Sequence, residues 1–299
     1  MKLAFVIYKK NIMNQLKLFI DLTRIKKPIG FMLLFWPCAW GLTLAYDFSS
    51  DLNKYFFYLI LFFLGSVLMR SAGCIVNDIL DRKYDAKVFR TKDRPIASGK
   101  VSVNLAIIYS VVLCFFALLV LLNFNLYTII LALGSMPLAF TYPLMKRFTY
   151  WPQLFLGITF NYGLILGWTA VEGGINLIPI LFYLGAIFWT LGYDTIYGYQ
   201  DIKDDEIIGL KSTSIKFKKK PYAFVFSCYL IYLLSLFITG YFMNLNKYSL
   251  IFFILILIQM FYFQIKKLKI EEPTSCLKVF KSNNLLGLIV FLSLIIGKL

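Results

Sequence analysis

Long apolar runs and short polar segments alternate along this chain of 299 residues. Most runs approach the ~20 residues that a helix needs to cross the ~30 Å hydrocarbon core of a bilayer. Backbone groups in lipid must be hydrogen-bonded within the protein, so helix-length runs predict an all-α bundle rather than sheets. The pattern predicts nine transmembrane helices, at 28–46, 56–77, 101–122, 124–143, 152–171, 177–197, 222–242, 247–265 and 281–298.

No linker or change of composition interrupts this pattern, which predicts a single transmembrane domain over residues 1–299. The second and the sixth predicted helix each run into an acidic motif, and four helices separate the two motifs. This spacing indicates a weak internal repeat of two four-helix halves followed by a ninth helix. We expect the bundle to surround a central cavity that opens to the cytoplasm.

The basic residues indicate how the chain crosses the membrane. The sequence has 31 Lys and Arg against 15 Asp and Glu, a net charge of +16. They concentrate in the N-terminal segment and in every second loop, whereas the loops between carry only Lys54 and Lys247. Such one-sided loops predict a cytoplasmic N-terminus and a C-terminus on the other side. The positive charge therefore reports topology, and we expect no nucleic-acid partner.

The N-terminal segment contains Lys and Arg but little Ser, and it includes Asp21. It resembles a mitochondrial transit peptide poorly and has no cleavable signal peptide. These features favour a bacterial inner membrane, with the C-terminus in the periplasm. The five cysteines have no metal-ligand or disulfide-framework spacing, so we interpret them as small packing residues.

Carboxylates cluster where two of the apolar runs end. A carboxylate near hydrocarbon costs roughly 2.5–3.5 kcal/mol, so it needs a cation or a functional reason. The first set is Asn77, Asp78, Asp81 and Asp85; the second is Asp194, Tyr197, Asp201, Asp204 and Asp205. On one continuous helix the first set would share an arc of roughly 100°, and so would the second set if its helix continues that far.

Carboxylates on one helix face repel each other unless a cation lies between them. Mg²⁺ fits such faces, because it prefers oxygen ligands and commonly bridges carboxylates to substrate phosphates. The chain has no histidine, the usual ligand of zinc, copper and iron. A single acidic residue at a helix end is more often solvated or ion-paired, which is our interpretation of Asp93 and Glu206. A transporter with cation-binding faces is the alternative in another functional class.

Several cations lie near the acidic motifs in the sequence. They are phosphate-binding candidates, since arginine can hold phosphate with two parallel hydrogen bonds, but each is equally well explained by membrane topology. Arg70 differs, because an arginine inside an apolar span is usually functional or paired with an acid. The other candidates are Arg94 on a loop with Pro and Gly, Lys146 and Arg147 on a short loop, and Lys211 before Ser-Thr-Ser.

The stretch from Asn77 to Asp85, Asn-Asp-Ile-Leu-Asp-Arg-Lys-Tyr-Asp, resembles the first signature of the UbiA family of intramembrane prenyltransferases. The stretch from Tyr193 to Asp205 resembles the second signature. The resemblance covers about residues 20 to 215, and its further matches are Arg24 with Lys27-Pro28, Arg70 to Cys74, Arg94-Pro95, Tyr142-Pro143 and Gly209 to Thr213. The second signature is most similar to the branch that prenylates 4-hydroxybenzoate in ubiquinone synthesis.

The resemblance implies a Mg²⁺-dependent transfer of a polyprenyl group from polyprenyl diphosphate to the ring carbon ortho to the hydroxyl of 4-hydroxybenzoate. It implies one Mg²⁺ at Asn77, Asp81 and Asp85 and a second at Asp201 and Asp205. The expected base is Asp201, Tyr197 or the diphosphate. The implied supporting residues are Asp78, Asp194 and Asp204 beside the ligands, and Arg82 and Arg147 for the aromatic acid or the diphosphate. The other expected substrate-binding residues are Arg24, Arg70, Arg94, Lys146 and Lys211.

Other acceptors remain open within the same family: dihydroxynaphthoate, homogentisate, haem, chlorophyllide or a sugar phosphate. The two acidic motifs lie on the same side of the membrane by the charge pattern, which weighs against an alternating-access transporter.

Overall fold

A computed structural model describes residues 2–88 and 91–299, with side chains from residue 13 onward. The described residues are helical and contain no strand. The helices are α1 Lys2–Thr23, α2 Ile29–Ala45, α3 Leu52–Asp85, α4 Val103–Leu121, α5 Leu126–Thr141, α6 Met145–Phe148, α7 Pro152–Glu172, α8 Leu177–Gly198, α9 Ile202–Ile207, α10 Thr213–Lys216, α11 Pro221–Phe242, α12 Ser249–Leu257 and α13 Pro273–Lys298, with a 3₁₀ turn at Tyr142–Leu144 and a π-helix at Ile258–Lys266.

The prediction of an all-helical polytopic membrane protein is confirmed. Within the part that the structure describes, 8 helical segments are long and apolar enough to cross a bilayer. The remaining apolar helix, α2, is shorter, with 17 residues. The predicted count of nine spans is therefore not confirmed. The organisation as a single domain with two related halves stays a prediction.

Helix α3 is much longer than a membrane span requires. Its 34 residues correspond to about 51 Å at 1.5 Å per residue, whereas the hydrocarbon core measures ~30 Å. The apolar part of α3 ends where the Asn77–Asp85 motif begins. The surplus length of one uninterrupted helix can therefore carry the acidic motif out of the hydrocarbon layer.

Local sequence explains where several helices begin. Asn125 and Asn176 precede α5 and α8, and their side chains accept hydrogen bonds from the N–H groups of Thr128 and Ile178. These bonds satisfy N–H groups that have no partner inside the helix. Proline opens α7, α11 and α13, at a position where its missing N–H is not needed.

The chain forms two compact units, residues 1–31 with 64–120 and residues 32–63 with 121–299. The core of the first unit joins the end of α1, the second half of α3 and α4 with the loop before it. It consists of Leu22, Ala72, Ile75, Ile96, Val101, Ala106 and Leu113. This packing holds the C-terminal part of α3, where the first acidic motif lies.

The core of the second unit is aromatic. The rings of Trp40, Phe182, Trp189 and Tyr232 pack against one another, with centroids 5.0 to 6.3 Å apart. The indole of Trp40 donates to the carbonyl of Gly287 at 3.0 Å, so its polar atom is satisfied inside the bundle. The core thereby joins α2, α8, α11 and α13, and it supports the helix that leads into the second acidic motif.

Candidate active site

The first acidic motif lies on the last two turns of α3, which continues without a break to Asp85. The single helix face that the spacing predicts is therefore present. The carboxylates of this face are withdrawn from solvent: the exposed fraction is 2% for Asp78, 1% for Asp81 and 8% for Asp85, and Asn77 is half-buried. Buried carboxylates require compensating cations or hydrogen-bond donors.

Two arginines supply part of this compensation. Nη1 of Arg94 lies 3.1 Å from Oδ1 of Asp78 and 2.7 Å from Oδ2 of Asp85. Nη2 of Arg24 also donates to Oδ1 of Asp78, and its Nη1 lies 3.8 Å from the sulfur of Cys74. Asp78 is thus shared by two guanidinium groups, and Arg94 bridges two carboxylates. These four charges form the arginine–aspartate network of the first unit.

The backbone brings both arginines to the end of α3. Arg24 has a φ of 54°, a left-handed conformation that non-glycine residues rarely adopt. Such strain persists where the surroundings fix the residue, commonly at functional sites. The loop with Arg94 folds back on the helix, because Thr91 donates its hydroxyl to the carbonyl of Asp85 at 3.0 Å and Val101 donates its N–H to the carbonyl of Pro95 at 2.9 Å.

Two other predicted arginines have different surroundings. Arg70 is half-buried in α3, and a β-carbon on Gly30 would stand 2.8 Å from its Nε. The guanidinium therefore lies directly against the start of α2, and a side chain at position 30 would displace it. Arg82 follows the buried Asp81 in the sequence but is exposed.

Helix α8 does not continue as far as a shared face for the whole second motif would require. Helix α8 ends at Gly198, and Asp201 precedes a separate short helix, α9. A β-carbon on Gly198 would stand 2.3 Å from Oγ of Ser214, so any larger residue here would displace the Ser214 hydroxyl. In the turn between α8 and α9, the N–H of Asp201 donates to the carbonyl of Gly198 at 3.3 Å.

The second motif is therefore divided between two helices. Asp194 and Tyr197 are half-buried on α8, and the ring of Tyr197 lies 4.5 Å from that of Phe280. Asp204 and Asp205 occupy the first turn of α9, where the N–H of Asp205 donates to the carbonyl of Asp201 at 2.9 Å. The structure places Asp201 and Asp205 one helical turn apart, as the D-x-x-x-D spacing predicts.

The two basic segments of the second unit lie against each other. The backbone N–H of Lys211 donates to the carbonyl of Lys146 at 2.8 Å, and Nζ of Lys211 lies 3.3 Å from the carbonyl of Phe148. Lys146 and Arg147 are both half-buried on α6. Candidate cations from positions 146, 147 and 211 are therefore grouped, although they are distant in the sequence.

The oxygen donors of α3 and α9 fit a hard cation such as Mg²⁺. Among residues 2–88 and 91–299, no group of three or more Asp, Glu, Cys or His side chains is close enough to hold a metal ion. Each predicted set has only two carboxylates, so Asn77, water and substrate phosphate oxygens would have to supply the other ligands. Mg²⁺ commonly keeps several waters and is held by one or two carboxylates with substrate phosphates.

The sequence did not single out Gln153 or Thr195, which lie beside the second motif. Both are buried, and each binds the segment that follows Lys211. The available signal was weak: Gln153 is a polar residue that directly follows Pro152 at the start of an apolar run. Only its contacts distinguish it from a solvated residue at a helix start.

Comparison with known proteins gives consistent matches over most of the chain. The model of the UbiA prenyltransferase family matches residues 34–295. A protein of Drosophila pseudoobscura pseudoobscura, mitochondrial 4-hydroxybenzoate polyprenyltransferase, is 43% identical over 289 residues, which are 95% of this chain and 71% of that protein. Because this relative is mitochondrial, the predicted bacterial inner membrane is not supported.

Two solved structures share the fold. A UbiA homologue from Aeropyrum pernix K1 aligns with a TM-score of 0.74 at 24% identity and covers 90% of this chain and 98% of its own. A UbiA homologue from Archaeoglobus fulgidus, bound to GPP and Mg²⁺, aligns with a TM-score of 0.67 at 18% identity and covers 93% of this chain and 99% of its own. At these identities the alignments establish a common helical architecture.

Proposed function

Because the chain belongs to the UbiA prenyltransferase family, we propose that it transfers a polyprenyl group from polyprenyl diphosphate to 4-hydroxybenzoate in ubiquinone synthesis. The bond forms at the ring carbon ortho to the hydroxyl. The observation that carries this proposal is the buried acidic face of α3 with its two arginines, since a diphosphate needs both a metal-binding face and cations. The relative named for this reaction is 43% identical over 95% of the chain, which supports the choice of acceptor.

The proposal assigns Asn77, Asp81 and Asp85 to one Mg²⁺, and Asp201 and Asp205 to a second. The homologue from Archaeoglobus fulgidus binds GPP and Mg²⁺ together, which supports a metal-bound diphosphate. When bound, Mg²⁺ supplies positive charge that neutralises the leaving diphosphate.

Cationic side chains complete the binding of diphosphate or of the aromatic acid. Arg24 and Arg94 are held beside the acidic face by Asp78, which orients their guanidinium groups. Lys146, Arg147 and Lys211 form the basic group of the second unit. Arg70 and Arg82 complete the set of candidate cations, and Asp194 and Asp204 support the ligands of the second motif. Fixed cations of this kind stabilise negative charge that develops as the C–O bond breaks.

The remaining step is removal of the proton from the ring carbon that has been prenylated. Asp201 is the proposed base, with Tyr197 and the released diphosphate as alternatives. The chain contains no histidine, so a carboxylate, a phenol or the diphosphate has to take this proton. Apolar helices around the prenyl chain keep water away from the allylic cation, which water would convert to a free alcohol.

A product assay tests the proposal. The detergent-purified protein is incubated with Mg²⁺, labelled 4-hydroxybenzoate and a polyprenyl diphosphate, with and without EDTA. We expect a lipid-extractable labelled product that EDTA abolishes, and strong loss of product with Asp81→Ala and with Asp201→Ala. Folded variants that keep full activity would refute the assignment of the two motifs. Product with another family acceptor but none with 4-hydroxybenzoate would refute the choice of acceptor.

The proposed topology puts the N-terminus and both acidic motifs on one side of the membrane and the C-terminus on the other, because the basic loops alternate. Single cysteines introduced into a cysteine-free variant, at Ser50 and at Lys219, test this orientation. A membrane-impermeant maleimide should label these two positions from opposite sides of sealed vesicles. Labelling of both from the same side would contradict the topology.

A further inference from the structure

The segment directly after the second acidic motif contains three buried hydroxyl side chains. Ser212 is 6% exposed, and Thr213 and Ser214 are 0% exposed. Burying a hydroxyl is unfavourable unless it forms a hydrogen bond. The partners of these groups therefore show what the segment does.

Two of the hydroxyls bind α8. The hydroxyl oxygens of Thr195 and Thr213 lie 2.6 Å apart, and Ser214 donates its hydroxyl to the carbonyl of Thr195 at 2.8 Å. Thr195 already donates its own proton to the carbonyl of Leu191 at 2.6 Å, so Thr213 is the donor between the two threonines. The segment is thus joined to the last turns of the helix that carries Asp194 and Tyr197.

The same segment also binds the start of α7 and the basic segment before it. The backbone N–H of Thr213 donates to Oε1 of Gln153 at 3.0 Å, and Gln153 is 7% exposed. Two residues earlier, the N–H of Lys211 donates to the carbonyl of Lys146 at 2.8 Å. Residues 211–214 therefore connect the end of α8 to the basic residues at 146 and 147. We call residues 211–214 the clasp.

The clasp is the buried anchor of a segment that is otherwise accessible. From Gln200 to Leu210, which includes Asp201 and Asp205, every residue is half-buried or exposed. The short α9 within this segment buries no residue. The segment leaves α8 at Gly198, and its far end joins directly to the clasp, so the clasp contributes to the position of its carboxylates.

We propose that Thr213 and Ser214 are positioning residues, which hold the second acidic segment and the 146–147 basic segment in the relative geometry that binds the metal and diphosphate. This inference rests on the proposed function, because it assumes that Asp201 and Asp205 act on a metal-bound diphosphate. The hydroxyls do not touch the substrate in this proposal; they act through the backbone that they fix.

The principal test compares Thr213→Val, which removes the hydroxyl at nearly constant shape and keeps the backbone N–H, with Thr213→Ser, which keeps the hydroxyl. We expect Thr213→Val to raise both the Mg²⁺ concentration for half-maximal activity and the KM for polyprenyl diphosphate about three- to tenfold, the range that loss of one hydrogen bond supports. Thr213→Ser should return both constants to near the parental values.

A binding measurement supplies a readout that does not depend on turnover. Calorimetric titration with geranyl thiodiphosphate, an unreactive analogue, in Mg²⁺ should show the same three- to tenfold weakening for Thr213→Val. The matched control is Thr159→Val on α7, whose half-buried hydroxyl donates to the carbonyl of Phe155 at 2.8 Å within its own helix. This control should leave binding and both constants unchanged. If Thr213→Val does not fold, Ser214→Ala tests the second hydroxyl with the same expected direction.

The inference is overturned if a folded Thr213→Val or Ser214→Ala variant keeps the parental Mg²⁺ dependence, KM and analogue binding. It is also overturned if Thr213→Ser is impaired as strongly as Thr213→Val. Failure of the proposed function gives a different result, since the parental protein would then form no product. Failure of the assignment of the second motif would leave Asp201→Ala fully active. Loss of activity in Asp201→Ala combined with parental constants in Thr213→Val rejects the clasp alone.

Discussion

Asp78 is the acceptor on which the arginine–aspartate network of the first unit depends. We consider the substitution Asp78→Ala in the presence of EDTA, so that no divalent metal ion contributes and only protein groups balance the charge of Arg24 and Arg94. Its carboxylate is 2% exposed and accepts from both Arg24 and Arg94. Removal leaves two guanidinium groups without this acceptor and leaves Arg94 with its contact to Asp85.

Removing one partner of a buried ion pair typically costs about 3–5 kcal/mol. The side chains of Arg24 and Arg94 are 24% and 23% exposed, so water replaces part of the lost interaction. We therefore place the loss of unfolding free energy at the lower end, about 3 kcal/mol. The control is Lys218→Ala, which breaks an ion pair with Glu206 whose side chains are 52% and 40% exposed. An exposed pair contributes at most about 1 kcal/mol.

The assay is reversible unfolding by SDS in mixed micelles, followed by far-ultraviolet circular dichroism, since the described protein is helical. Asp78→Ala, Arg24→Ala and the double variant form a thermodynamic cycle. We expect the sum of the two single-variant losses of unfolding free energy to exceed the loss in the double variant by more than about 0.5 kcal/mol, because the two residues interact directly. A loss for Asp78→Ala no larger than that for Lys218→Ala, or strict additivity in the cycle, would refute the reasoning.

Three further predictions concern Arg94, Gly198 and Asp47. Arg94→Gln removes the cation that two buried carboxylates of α3 share, so Mg²⁺ should raise the thermal midpoint of this variant more than that of the parent; equal shifts in a melting assay would contradict this. Gly198→Ala should weaken Mg²⁺-dependent activity because the new methyl group meets Oγ of Ser214; parental activity of the folded variant in the product assay would contradict this. The N–H and hydroxyl of Ser49 hold the pKa of Asp47 below its ordinary value. The ionised carboxylate therefore stabilises the folded state above its ordinary pKa, and this contribution is lost as pH falls through the lowered pKa. Melting curves of Asp47→Asn and of the parent, recorded between about pH 5 and pH 2, should converge at the acidic end.

The sequence predicted the features that depend on local periodicity. Apolar runs of helix length specify membrane helices, because lipid leaves the backbone no alternative to internal hydrogen bonds. The face of Asn77, Asp81 and Asp85 followed from spacing, since residues four apart lie on one side of any continuous helix. The two signatures also identified the family, because they are short continuous motifs. These inferences require no knowledge of how distant segments pack.

Packing between distant segments decided the rest. Asp78 binds Arg24 and Arg94, which lie 54 and 16 residues away, and one of them depends on a left-handed backbone. Helix α8 ends at Gly198, where Ser214 approaches closely, although the spacing alone permitted a longer helix. Local sequence limits what each segment can form, whereas the partner of a buried charge or hydroxyl is set by the neighbour that the tertiary fold brings within hydrogen-bond distance.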